Sequence, residues 1–398
     1  MAGEFRNRCS LSKIDMRQAI LVLQNLRAAS RPSGRGFAGA LVLCADLLFA
    51  ITATAQPVLS GSADKSAPTF TTFAAPGGVT GTLGLDINRA GVVTGWYSDV
   101  NGVSHGFVRD SDGGLTTFDV PGADEGTVGV SINDAGTIAG HYYDTNFVDH
   151  GFVRSTNGDI TTFDAPGAAA VPFFGTFLGS INAAGIIAGY YLDAGDVFHS
   201  FVRAADGTMA TFDAQGAGTG PRQGTVGTFI NAAGMITGSY TDSSNVNHGF
   251  VRDGNGIITV FNAAPAGTSA GQGTFGSAIN TAGSIAGYYL DSNNLAHGFA
   301  RNPTGALITF AVPGAGSYGT FASSIGPTGF ITGYYTDASS VYHAYVRAEN
   351  GAITTFQDPD AGAYPGGGVY PSAINESGVI VGFYTDVRDV FRVFMLTP

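Results

Sequence analysis

Along most of this chain hydrophobic and polar residues alternate with a period of two, in short runs separated by Asn, Asp and Gly. That period belongs to half-buried β-strands. The stretch GTVGVSINDAGTIAGHYYDTNFVDHGFVRSTNGDITTFD shows it plainly. It predicts strands at Thr127–Asn133, Thr137–Tyr143, His150–Arg154 and Ile160–Phe163. Asn133-Asp134-Ala135-Gly136 suits a type I turn closed by a glycine at positive φ, and Asn157-Gly158 marks a second tight hairpin.

The unit recurs. Ile-Asn stands at Ile87, Ile132, Ile181, Ile230, Ile279 and Ile374, with Ile325-Gly326 in the remaining register, which makes seven copies. The seventh copy stops after its third strand, Val390–Leu396. The missing fourth strand has its counterpart at the other end of the chain, Phe70-Thr71-Thr72-Phe73. A linear solenoid has no use for such complementarity, whereas a closed ring does, because it leaves no open edge. The expected fold is therefore all-β: a seven-bladed β-propeller over residues 70–398, four antiparallel strands per blade, the last blade closed by residues 70–73.

Composition agrees with this picture and narrows the partners. Glycine takes 60 of 398 positions, about twice the usual share, and charged residues only 12%. With 44% hydrophobic residues the chain has the apolar surface to order itself. A net charge of −12 argues against a nucleic-acid partner. Residues 1–55 differ from the rest. They hold seven of the eighteen basic residues, then an apolar run from Phe37 to Ala55 interrupted by Asp46 and ending Ala53-Thr54-Ala55. This is the pattern of a signal peptide or N-terminal leader, the alternative being an uncleaved anchor. Residues 56–69 read as a linker. Cleavage near Ala55 would leave 11 basic and 27 acidic side chains and remove both cysteines, Cys9 and Cys44. The mature chain would then have no disulfide, no thiol nucleophile and no membrane span, and is expected to be a monomer, secreted to the extracellular space or cell surface, with the periplasm as an alternative.

Some residues recur in every copy. An Asp that closes the second strand precedes a His by six positions in six copies: Asp99/His105, Asp144/His150, Asp193/His199, Asp242/His248, Asp291/His297 and Asp337/His343. In the seventh, Arg392 follows Asp386 at that spacing. The pairs flank a short hairpin and are expected to form a structural ladder of Asp–His contacts, since catalytic groups are seldom repeated sixfold. Arg109, Arg154, Arg203, Arg252, Arg301 and Arg347 end the third strands and are expected to pair with acids or cover aromatic rings. His141, outside the ladder, reads as a surface or inter-blade substitution. No metal site or cofactor is expected. Asp110-Ser111-Asp112-Gly113 offers alternating oxygens for Ca²⁺ but is also simply a good turn. No nucleophile elbow, zinc-protease motif or P-loop is present.

The stretch G-Y-Y-x-D-x5-H-[GA]-[FY]-x-R followed by T-T-F-D-x-P-G-A resembles the extracellular HAF repeat of bacterial secreted proteins, with His105-Gly106-Phe107 and His343-Ala344-Tyr345 at the signature. The resemblance spans about residues 70–398. It implies an extracellular, propeller-like protein and carries no activity to transfer.

Repeat length points to where function sits. From Thr82 to Phe118, and likewise in each later full copy, the unit spans 36 positions without insertion. Length varies only in the connection between units, from 9 to 13 positions. Variable loops on a rigid scaffold are the usual place for binding. They carry the candidate binding residues Asp119, Asp164, Phe173, Phe174, Asp213, Arg222, Tyr318, Asp360 and Tyr364. An acidic rim with aromatics suits an extracellular glycan or a protein partner. The expected function is a secreted binding or scaffold module. The alternative is an extracellular polysaccharide hydrolase or lyase at the channel mouth, which would need unlike polar groups converging there.

Overall fold

The computed structural model describes residues 68–398. The expected leader and most of the expected linker lie outside the described residues. Each repeat is an antiparallel meander. In the first, β2 (Gly81–Ile87), β3 (Val93–Ser98), β4 (Ser104–Arg109) and β5 (Leu115–Phe118) follow one another. Leu83 stands opposite Trp96, and Tyr97 opposite His105. The turn after β2 has the chemistry its sequence requires. Asn88 exchanges backbone hydrogen bonds with Val92 and Gly91, its side-chain oxygen accepts the Val92 N–H at 3.0 Å, and Gly91 has φ 84°.

The expected seven-bladed β-propeller of separate four-stranded sheets is not what the hydrogen bonds build. They join the strands into two twelve-stranded mixed sheets and one four-stranded sheet, with no closed barrel. The first sheet takes the strands between residues 69 and 163 together with those between 369 and 397, the second those between 176 and 310, and the third those between 320 and 356. The joints are parallel bridges. A glycine opening one unit pairs with the first residue of the preceding unit's third strand: Gly126 with Ser104, Gly224 with Phe198, Gly273 with Asn247, Gly81 with Phe391. At Gly175, Gly319 and Gly368 the same contact is only an isolated bridge, and there the sheets end. Gly224 and Gly273 have φ of 112° and 119°, and a Cβ on either would collide with the carbonyl oxygen of Phe198 or Asn247. Only glycine lets the two backbones come this close.

The chain ends meet. β1 (Thr69–Phe73) pairs antiparallel with β28 (Phe391–Thr397), Phe70 opposite Leu396 and Phe73 opposite Val393. A side-chain chain of hydrogen bonds links the first turns. Asn88 Nδ2 donates to Asn133 O, and the relation passes through Asn182, Asn231 and Asn280 to Gly326 O. Asn375 Nδ2 donates to Asn88 O at 3.1 Å, so the last repeat neighbours the first.

The core repeats as well. Phe107, Phe152, Phe201, Phe250, Phe299, Tyr345 and Phe394 occupy one position in successive third strands and are all fully buried. Each such ring contributes roughly 1.5–3 kcal/mol by leaving water. The arginines that end the third strands cover rings, as the sequence suggested. Arg154 lies over Phe118 at 5.0 Å and Arg203 over Phe163 at 4.6 Å, in each case a ring of the preceding unit.

Candidate functional site

The connections between units lie against the hairpins that join second to third strands. Phe173 N–H donates to Phe147 O at 2.7 Å, Arg222 N–H to Asp196 O at 2.7 Å, and Gly366 N–H to Ser340 O at 2.8 Å. The variable segments and the Asp–His hairpins therefore form one face.

On that face the aspartate–histidine pairs do meet, but with a second partner. His105, His150 and His199 place Nδ1 at 2.9, 2.8 and 2.8 Å from Asp119, Asp164 and Asp213. Each ring also stacks on a tyrosine, His105 on Tyr97 with centroids 5.0 Å apart. A carboxylate only accepts, so Nδ1 carries the hydrogen there. In these three copies Nε2 stays 3.8, 3.7 and 3.5 Å from the hairpin carboxylates Asp99, Asp144 and Asp193. In the next three the Nδ1 neighbour is neutral, Asn262 or Gln357, or absent because residue 311 is Ala, and Nε2 closes to 3.2, 3.2 and 3.1 Å on Asp242, Asp291 and Asp337. The outer carboxylate draws the ring away from the inner one. Burial disfavours ionisation of the hairpin aspartates, but backbone N–H donors such as those of Val103 and Asn101 outweigh it and hold Asp99 below the usual carboxylate range.

The other candidates engage locally. Phe173 is 55% exposed and packs on Phe147, centroids 5.7 Å apart. Phe174 turns inward against the cluster of Phe177 and Tyr190. Arg222 Nε pairs with Asp196 at 3.0 Å instead of meeting an acid of another connection. Tyr318 is 54% exposed. Tyr364 donates its hydroxyl hydrogen bond to Asp389 at 2.8 Å, and the exposed Asp360 donates its N–H to the Asp358 carboxylate at 2.9 Å. Thus Phe173, Arg222 and Tyr364 are each tied to an adjoining hairpin, and none of these contacts joins candidates from different connections. Among the described residues no three His, Cys, Asp or Glu converge as a metal site, and no helix is long and apolar enough to cross a membrane.

A second site was missed by the sequence reading. The first strands of the repeats surround a cavity of about 190 Å³. In each of these strands a register shift precedes the conserved Ile, as between Gly84 and Asp86, and such a bulge places two consecutive side chains on the cavity wall: Leu85 and Asp86, Val130 and Ser131, Ser323 and Ser324. Among the described lining residues Asp86 is the one carboxylate. It accepts hydrogen bonds from Ser131 Oγ at 2.7 Å, Ile132 N at 2.9 Å and Ile87 N at 2.8 Å. Burial still dominates and pushes its pKa up to about 6. His141 lines the same cavity, buried, its ring edge-on to Phe177 of the next repeat at 6.1 Å, so of the two readings offered for it the surface one is overturned and the position between units stands. The available signal was the residue before each conserved Ile, which varies as Asp86, Ser131, Ser180, Phe229, Ala278, Ser324 and Ala373 inside an otherwise constant unit.

No family model matches the chain, and no curated protein matches it. Solved structures do. Selenomethionine-substituted virginiamycin B lyase from Staphylococcus aureus superposes with a TM-score of 0.54 at 13% identity, covering 83% of this chain and 100% of that one. The catalytically inactive form of that lyase with quinupristin gives 0.52 at 15% identity, with 83% and 100% covered. A puromycin hydrolase gives 0.54 at 11% identity, covering 80% of this chain and 52% of its own. At these identities the likeness concerns the fold, which is all-β and propeller-like.

Proposed function

We propose that the protein is a secreted binding module of the cell surface or extracellular matrix, and that its ligand is a glycan held on the face built by the connections and the Asp–His hairpins. One observation carries the reading: chain length varies only in the connections, and two of them present the exposed rings of Phe173 and Tyr318 on that face. Exposed rings stack on sugar faces, and carboxylates elsewhere on that face accept hydrogen bonds from sugar hydroxyls. The repeat's resemblance to the extracellular HAF family and the leader-like first 55 residues support the location.

Thermal unfolding of the purified protein against a panel of extracellular glycans tests this. Ligand at a hundred times its dissociation constant adds about 2.7 kcal/mol of stability. One glycan is expected to raise the melting temperature, and Phe173→Ala with Tyr318→Ala is expected to abolish the shift without changing the unliganded melt. Release of sugar product would instead favour the hydrolase or lyase. An unshifted melt throughout the panel would sink the glycan reading.

A further inference from the structure

The cavity lined by the first strands contains a carboxylate that the fold does not require. Asp86 Oδ2 holds the backbone N–H of Ile132 in the next repeat. Serine performs that task elsewhere: Ser131 for Ile181 at 3.3 Å, Ser180 for Ile230 at 2.8 Å, Ser324 for Ile374 at 3.4 Å. A neutral hydroxyl is thus sufficient to staple neighbouring strands. A carboxylate at the same place is costly in a poorly solvated wall unless something of opposite charge enters. No Lys or Arg lines the cavity among the described residues, and the nearby Asp134 adds further negative potential. The wall also carries the aromatic rings of Trp96 and Tyr190, with Ser323 and Ser372, whose buried hydroxyls have no hydrogen-bond partner among the described residues.

We propose that this cavity binds a small organic cation, an ammonium group on a compact body, with Asp86 as counter-ion and Trp96 and Tyr190 as its aromatic walls. Aromatic faces attract cations, most strongly when both are desolvated. The space corresponds to roughly six water molecules at about 30 Å³ each, which suits a ligand of choline's size. A substituent hydroxyl would find partners in Ser323 and Ser372. The inference rests on the cavity alone and is independent of the glycan-binding face.

Trp96 is the only tryptophan of the chain, so its fluorescence reports occupancy directly. The full-length protein is titrated at pH 7.5 with choline and with 3,3-dimethylbutan-1-ol, its uncharged carbon counterpart. Choline is expected to give a saturable change, with the alcohol weaker by about tenfold or more. Asp86→Ser retains the staple and is expected to lose choline affinity by a similar factor while binding the alcohol unchanged. Equal binding of the two probes overturns the proposal, as does an unresponsive Trp96 in folded protein up to tens of millimolar choline. A variant that binds choline like the parent also overturns it. Should the variant fail to fold, the comparison of the two probes decides alone.

Discussion

At the scale of single residues, two kinds of aspartate respond to pH in opposite directions. The folded carboxyl of Asp86 holds its proton up to about pH 6, against 3.8 for the ordinary group. Between those values the folded chain keeps a proton that the unfolded chain has lost. Raising the pH through this window therefore removes stability, and above it the loss is complete, on the order of 2–3 kcal/mol. Hairpin aspartates such as Asp144 and Asp337 are held low, so their contribution is present at neutral pH and is lost only as pH falls through their depressed values. Asp86→Ser should melt a few degrees above the parent at pH 7.5, and the gain should vanish by pH 4. Scanning calorimetry of both proteins from pH 4 to 8 checks it, and a gain of constant size at every pH would show that Asp86 is not the titrating group. The aspartate–histidine pairs were legible because six positions separate them across one hairpin. The second partners, Asp119, Asp164 and Asp213, open the connections just past the fourth strands, fourteen positions on, and spacing alone does not reveal which ring nitrogen they take. Asp86 escaped notice for a different reason: recurrence draws attention to what is shared, and the cavity is defined by what is not.

At the scale of elements, the strands and their turns follow from period-two alternation and from Asn-x-x-Gly, and the structure places β6 at Gly126–Ile132 and β9 at Ile160–Phe163, close to the expected bounds. What alternation does not encode is the joining of one unit's sheet to the next. That depends on backbone approach at the glycine before each opening Thr or Val, where no side chain takes part. Six of those openings also carry a buried threonine whose hydroxyl oxygen accepts the N–H of the preceding connection, as Thr225 does for Ala214 at 2.9 Å. Glycine and threonine together fix where each connection enters its strand. Gly273→Ala should therefore lose more stability than Gly234→Ala. Both glycines have positive φ, but Gly234 faces open space, whereas a Cβ at Gly273 meets the Asn247 carbonyl. Strain alone costs about 1 kcal/mol, and the displaced bridge should add about 1–3 kcal/mol. Denaturant titration of the two variants measures the difference, and equal losses would mean that the bridge contributes nothing.

For the whole molecule, the question is what holds the two chain ends together. The sheets do not close into a barrel, and the first and last repeats are joined by three hydrogen-bonded contacts besides the Arg89–Glu376 ion pair and shared apolar packing. Asn375 reaches Asn88, Gly81 bridges Phe391, and β1 lies along β28. The third is the largest. Phe70 packs between Phe356 and Phe394 with centroids 6.2 and 6.1 Å away, while Phe73 meets Phe107 edge-on at 6.0 Å and lies under Arg109 at 4.7 Å. The pairing of the chain ends was readable from a strand missing at one terminus and surplus at the other, while the grouping of strands into sheets was not. Chains beginning at residue 68 and at residue 74 differ by little more than this strand. The shorter one gives up two partly buried phenylalanines, worth about 3 kcal/mol or more together, and bares the backbone edge of β28. It should melt well below the longer chain and associate with itself at concentrations where the longer chain does not, because an exposed edge strand accepts another chain as readily as its own. Calorimetry with light scattering on the two chains reads both effects. If they melt together and both stay dispersed, the remaining contacts between the first and last repeats, polar and apolar, are enough to close the molecule, and β1 is only an ornament on its rim.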